Sequence, residues 1–206
     1  MVDPEPTERR PGQPIEPLFL ERWSPRAFDS SPVETQDLAT IFEAARWAPS
    51  AFNVQPWRFI YALRDDADWQ RLLALLIPYN ASWVKNAGAL IFICSDTLMI
   101  MKSGQPPQLS HSHSFDAGAA WALMALQATR LSYHAHGMTG VDFDRARIEL
   151  DVPDRYRLEA AVAIGRRGDK SLLPEKLQAR ESPSGRKPLD ELVFRGRFGI
   201  PPPNLT

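Results

Sequence analysis

The sequence predicts an α+β protein, and three observations carry that prediction. Helix-period and strand-period segments are mixed without a strict strand–helix–strand rhythm, which disfavours a doubly wound sheet. Residues 87–95 form an almost wholly apolar run, most simply a strand buried on both faces. From Ser114 to about His134 runs a long segment that is mostly apolar around its circumference, the pattern of a buried helix. No Gly-x-Gly-x-x-Gly follows a strand, so the fingerprint of a dedicated dinucleotide domain is missing.

The elements follow in order. Apolar side chains at Leu38, Ile41, Phe42 and Ala45 recur at helical spacing and predict a helix from Thr35 to Trp47. Ser31 and Glu34 have the spacing of a capping box, which would start that helix a few residues earlier. Trp57 to Leu63, rich in aromatic and β-branched residues, reads as a strand. Residues 66–79 predict a second amphipathic helix, and the polar stretch 101–113 a loop. A short helix at 144–150 and a strand at 159–164, ended by Gly165, complete the set. Beyond Arg166 the chain is basic and proline-rich, with a short apolar patch at Leu189 to Phe194.

A length of 206 residues suits one sizeable core, and 44% hydrophobic with 24% charged residues is ordinary for a soluble globular protein. A net charge of −1 argues against nucleic acid or an anionic membrane as a partner. No apolar stretch approaches the roughly 20 residues of a membrane span. The single cysteine, Cys94, rules out a disulfide framework and reads as a buried thiol in a reducing compartment, so the expected location is cytoplasmic. Residues 1–17, rich in proline and charge, read as a flexible arm. A single domain over 18–194 and a tail over 195–206 follow.

Two short motifs carry the chemistry. In Arg22-Trp23-Ser24-Pro25-Arg26, two guanidinium forks bracket a hydroxyl; in an extended run these three side chains share a face and suit a phosphate. In Pro49-Ser50-Ala51-Phe52-Asn53-Val54-Gln55-Pro56-Trp57, two prolines stop the first helix and set an extended turn. Between them lie a hydroxyl and two amides, uncharged donors and acceptors that suit a flat, neutral heterocycle. A phosphate grip beside a heterocycle grip points to a mononucleotide cofactor.

The pairing of Arg-x-Ser-x-Arg with Pro-Ser-x-x-Asn-x-Gln-Pro-Trp resembles the nitroreductase family of FMN-dependent oxidoreductases, over residues 18–194. The resemblance implies a three-layer fold, a central mixed sheet flanked by helices, with the long helix at the interface of an intertwined homodimer and FMN between subunits. It implies that Arg22, Ser24, Arg26 and the backbone of Trp23 hold the FMN phosphate. A later cation joins them, Arg186 ahead of Lys187. By the same resemblance Pro49, Ser50, Ala51 and Asn53 line the flavin, with Gln55 behind them. Asn80, at the end of the second helix, faces the pyrimidine side. Met138, Thr139 and Gly140, in a turn after the central helix, offer backbone amides to the N5 edge. At Arg130-Leu131-Ser132-Tyr133 the chain departs from the Gly-Leu pair common in the family, at the lining of the substrate pocket.

The implied activity is transfer of hydride from NADH or NADPH through the flavin to a nitroaromatic, quinone or similar small acceptor, by ping-pong kinetics. It needs no catalytic side chain. Other reactions on the same fold, dehalogenation or substrate dehydrogenation, and a non-catalytic flavin-binding role are the alternatives. The histidines fall in two pairs, His111/His113 and His134/His136. Without an acidic partner, and with the second pair at a helix end, they read as surface or pocket-lining residues rather than metal ligands.

Overall fold

The computed structural model describes residues 9–101 and 104–202; positions 1–8 of the expected arm, 102–103 of the expected loop and 203–206 of the expected tail lie outside the described residues. Its centre is a four-stranded sheet of β1 (Trp57–Leu63), β2 (Ala89–Asp96), β5 (His134–Met138) and β6 (Tyr156–Gly165), in the order β1-β2-β6-β5. All three pairings are antiparallel, where a mixed sheet is expected from the sequence. Every residue of β2 is buried, because this strand is covered on both faces.

Period-two alternation along β2 divides the core. Ala89, Ile91 and Ile93 join one cluster with Leu38, Ile41 and Ala45 of α2 (Thr35–Arg46) and Met124 and Ala128 of α5 (His113–Arg130). Leu90, Phe92 and Cys94 join the other, with Trp69 and Leu72 of α3 (Trp69–Leu73), Trp83 and Val84 of α4 (Pro78–Val84) and Ala146 of α6 (Phe143–Glu149). Each fully buried aliphatic side chain contributes about 1.5–3 kcal/mol, and the result is helices on both sides of a sheet. Burial pushes the Cys94 thiol up to about 11, as suits an inert core residue.

The helix predicted over 66–79 is two helices, because Pro78 holds Ile77 extended (φ −60°, ψ 151°) and the Ile77 N–H bonds the Gly140 carbonyl. This places Asn80 in the first turn of α4 rather than at a helix end. The first long helix starts at Thr35, after an extended Glu34 with no side-chain cap, so the capping box does not form. Helix α5 ends at Arg130, and His134 to Met138 form strand β5 where the long helix and its following turn are predicted. Short pieces complete the chain: α1 (Pro17–Glu21), a hairpin of β3 (Leu98–Met99) with β4 (Gln108–Leu109) inside the predicted loop, and α7 (Glu175–Gln178). Among the described residues no helix is long and apolar enough to cross a membrane.

One face of α5 is open. Phe115 is 81% exposed, and Gly118 and Ala122 lie on the same stripe at the i, i+3, i+7 positions, also exposed. The helix is therefore buried on one side only, where the sequence pattern predicts burial all round.

Candidate cofactor site

Two adjoining cavities lie between α1, α5, β5 and the chain that leads into the core. The larger, about 920 Å³, is lined among others by Asn80, Met138, Thr139 and Gly140, and runs along the open face of α5. The smaller, about 430 Å³, is lined among others by Arg22, Trp23, Ser24, Arg26 and Arg186. Arg22, Ser24 and His136 border both. Nine of the thirteen predicted site residues thus line these two adjoining cavities, each of a size typical for ligand pockets.

The smaller cavity is built for an anion. Arg22 is half-buried; its Nη1 lies 3.4 Å from the Ser24 hydroxyl. Burial, and then the nearby Arg186 guanidinium, push Arg22 below the usual arginine range. Among the described residues none of the ion pairs engages Arg22, Arg26 or Arg186. Lys187, the second candidate, pairs with Glu191 at 3.1 Å instead. A carboxylate close by, Glu181, accepts the Arg26 and Ala27 backbone N–H groups at 2.8 Å rather than pairing with one of these guanidiniums. Clustered guanidiniums that repel one another fit a phosphate dianion, each contact contributing about 1.5–3 kcal/mol.

His136 braces this end. On strand β5 it lies under Trp83, with ring centroids 4.6 Å apart, and its Nδ1 is 2.9 Å from the Pro25 carbonyl. A carbonyl only accepts, so Nδ1 carries the proton. Burial, with the Arg26 and Arg22 charges adding to it, pushes the imidazole down to about 4 and keeps it neutral. Trp23 is buried and meets His134 edge-on at 6.1 Å.

In the larger cavity Asn80 is only 7% exposed and its Nδ2 donates to the Gly140 carbonyl at 3.2 Å. A Cβ on Gly140 would stand 2.3 Å from that nitrogen, so only glycine admits the contact. The backbone N–H groups of Thr139 and Gly140, two residues that line this cavity, donate to no carbonyl among the described residues. At the far end the Ser114 hydroxyl donates to Glu159 Oε1 at 2.7 Å. Uncharged donors along an apolar trough suit a planar ring with carbonyl and nitrogen edges.

Pro49, Ser50, Ala51 and Asn53 line neither cavity. Their turn is a single 3-10 turn rather than an extended one, with Phe52, Asn53 and Gln55 all left-handed at φ 51–55°. For residues with a Cβ this conformation costs of order 1–2 kcal/mol each, and Asn tolerates it best. The strain is held by two contacts. Gln55 N–H donates to the Ser50 hydroxyl at 3.0 Å, and Ala51 N–H donates to the buried Asp116 of α5 at 3.2 Å. Gln55 Nε2 turns back on the Asn53 carbonyl, while Phe52, 71% exposed, points to solvent. Nothing among the described residues bonds the Asn53 side-chain amide.

Several lining residues escape a reading of the sequence. Glu159 looks like an ordinary strand residue and Arg9 like part of a solvated arm; His136, expected at the surface or in a pocket, does line both cavities, from strand β5 rather than from a helix end. Only the register of β5 on β6 and the path of the first residues bring them to the cavities.

A model of the nitroreductase family matches residues 20–81. A solved structure described as an oxidoreductase containing FMN is 51% identical, with a TM-score of 0.90 over 93% of this chain and 96% of the other. A structure from Desulfovibrio desulfuricans, provisionally named a nitroreductase and solved in complex with FMN, is 26% identical, with a TM-score of 0.67 over 90% and 99% of the two chains. A protein of Streptococcus pyogenes serotype M6, provisionally named an NAD(P)H nitroreductase, is 26% identical over 86% of this chain and 97% of its own. With half its residues shared with one oxidoreductase along nearly the full length of both, and its two motifs inside the matched region, the chain belongs to the nitroreductase family.

Proposed function

We propose that this chain is an FMN-dependent oxidoreductase that takes electrons from NADH or NADPH and delivers them to a small organic acceptor, a nitroaromatic or quinone. One observation carries the reading: cations suited to a phosphate and uncharged donors suited to a flavin line two adjoining cavities that share Arg22, Ser24 and His136 as walls. When bound, FMN supplies the hydride and electron transfer itself. The chain holds and orients. Arg22, Ser24, Arg26 and Arg186 bind the phosphate, Asn80 lies at the ring, and the free N–H groups of Thr139 and Gly140 face developing negative charge. His136, neutral and fixed through Pro25, keeps the phosphate end in shape. The donor and the acceptor share one open trough, so they take turns there, and initial rates should give the parallel double-reciprocal lines of ping-pong kinetics.

The working unit is a homodimer in the cytoplasm. The trough runs along the open face of α5, on which Phe115, Gly118 and Ala122 are exposed, and the Pro49–Asn53 turn lines neither cavity. A second copy packed on α5 would close the trough and bring that turn to the flavin.

The first test is the visible spectrum of purified protein, followed by NADH or NADPH without oxygen. Yellow protein that bleaches is expected. Colourless protein that FMN does not reconstitute would overturn the reading; yellow protein that neither nucleotide bleaches would leave a flavin-binding role and remove the reductase.

A further inference from the structure

Arg9 precedes the family match, in a segment whose composition resembles a solvated arm, yet it lines the smaller cavity beside Arg22 and Arg186. Its Nε donates to the Ser184 carbonyl at 3.1 Å, and its Nη1 donates to the Leu20 and Arg22 carbonyls at 2.6 and 2.8 Å. Those bonds engage three of the five guanidinium donors. The two on Nη2 meet no acceptor among the described residues.

A purely structural clip would not need a cation here. Neutral donors could serve carbonyl oxygens, whereas a third positive group beside Arg22 and Arg186 adds repulsion. Burial and then the Arg186 and Arg22 charges push Arg9 below the usual arginine range, and no carboxylate among the described residues offsets them. The arrangement becomes favourable once a dianion sits among the three. Arg9 also ties the two ends of the chain together, since Ser184 and Arg186 approach from the carboxy-terminal side.

We propose that Arg9 is a direct ligand of the cofactor phosphate and the residue through which the amino-terminal segment clasps the carboxy-terminal one over it. This rests on reading the chain as an FMN protein. Arg9 then sets specificity for a phosphate monoester: FMN closes the clasp, and riboflavin, the same ring without the phosphate, does not.

The test titrates full-length wild type and Arg9→Ala, freed of flavin, with FMN and with riboflavin, following quenching of flavin fluorescence. The expected result is a loss of about ten- to hundredfold in FMN affinity with riboflavin affinity unchanged. Arg9→Gln, which keeps neutral donors for the carbonyls, should lose FMN affinity in the same sense and stands in if the alanine variant does not fold. Unchanged FMN affinity, or an equal loss for both flavins, would overturn the proposal and leave Arg9 a structural clip. Wild type that ignores both flavins would overturn the functional reading itself.

Discussion

The proposed phosphate end of the site and the Pro49–Asn53 turn are opposites. In the first, Arg22, Ser24 and Arg26 from one short run meet Arg186 from far along the chain at one cavity, braced by His136. The second is strained, tied to Asp116 of α5, and lines neither cavity. Both are short, conspicuous motifs. A motif states which groups are offered; only the fold states where they arrive.

The sharpest way to break this comparison is a mixed dimer. Arg22→Ala with Arg26→Ala removes two charge-assisted contacts, about 3–6 kcal/mol, and should give folded protein that retains no FMN on a desalting column. Mixed with Asn53→Ala protomers, each mixed dimer would hold one site with every defect and one with none. Half the sites of the mixed dimers, about a quarter of all sites when equal amounts pair at random, should then recover wild-type FMN affinity. No recovery would mean that the turn serves its own protomer.

A smaller effect separates the two ends by acid. The His136 imidazole is held down to about 4 by burial, while in the unfolded chain it takes its proton near 6.5. Between those values the unfolded state binds the extra proton, so stability must fall as pH drops through that window and level off below it. The group can remove up to about 3 kcal/mol. Urea melts of wild type and His136→Gln between pH 7 and 4 should show the substitution flattening this limb. Identical slopes would mean that His136 is not the titrating group.

The smallest effect lies at the turn. Asp116→Asn keeps one acceptor for Ala51 N–H and the Ser112 hydroxyl but removes the charge, costing about 1 kcal/mol. The melting temperature should fall by a few degrees. Flavin retention should fall with it in the dimer, whereas a phosphate end complete in itself would keep its full affinity.

What the sequence made legible follows from how local each signal is. Strand β1 and helix α2 follow from periodicity, and β2 from an apolar run, since burial of those side chains decides the element. Strand β5 was hidden because His134-Ala135-His136-Gly137-Met138 has poor strand propensity and pairs only because β6 lies beside it. The break before Pro78 was readable from the proline alone, yet apolar spacing on both sides masked it. The meeting of Arg22, Ser24 and Arg26 at one cavity was legible because three donors two residues apart need little beyond an extended chain. Arg9 was not, because a cation 13 residues upstream of Arg22 becomes a neighbour only through the turn at α1.

In the proposed homodimer, the bare stripe on α5 would make quantity a stability variable. A chain that hides Phe115, Gly118 and Ala122 only against its own copy gains part of its folding free energy from mass action. Its melting temperature should climb with protein concentration, and dilution alone should drain the cofactor from protein that no denaturant has touched.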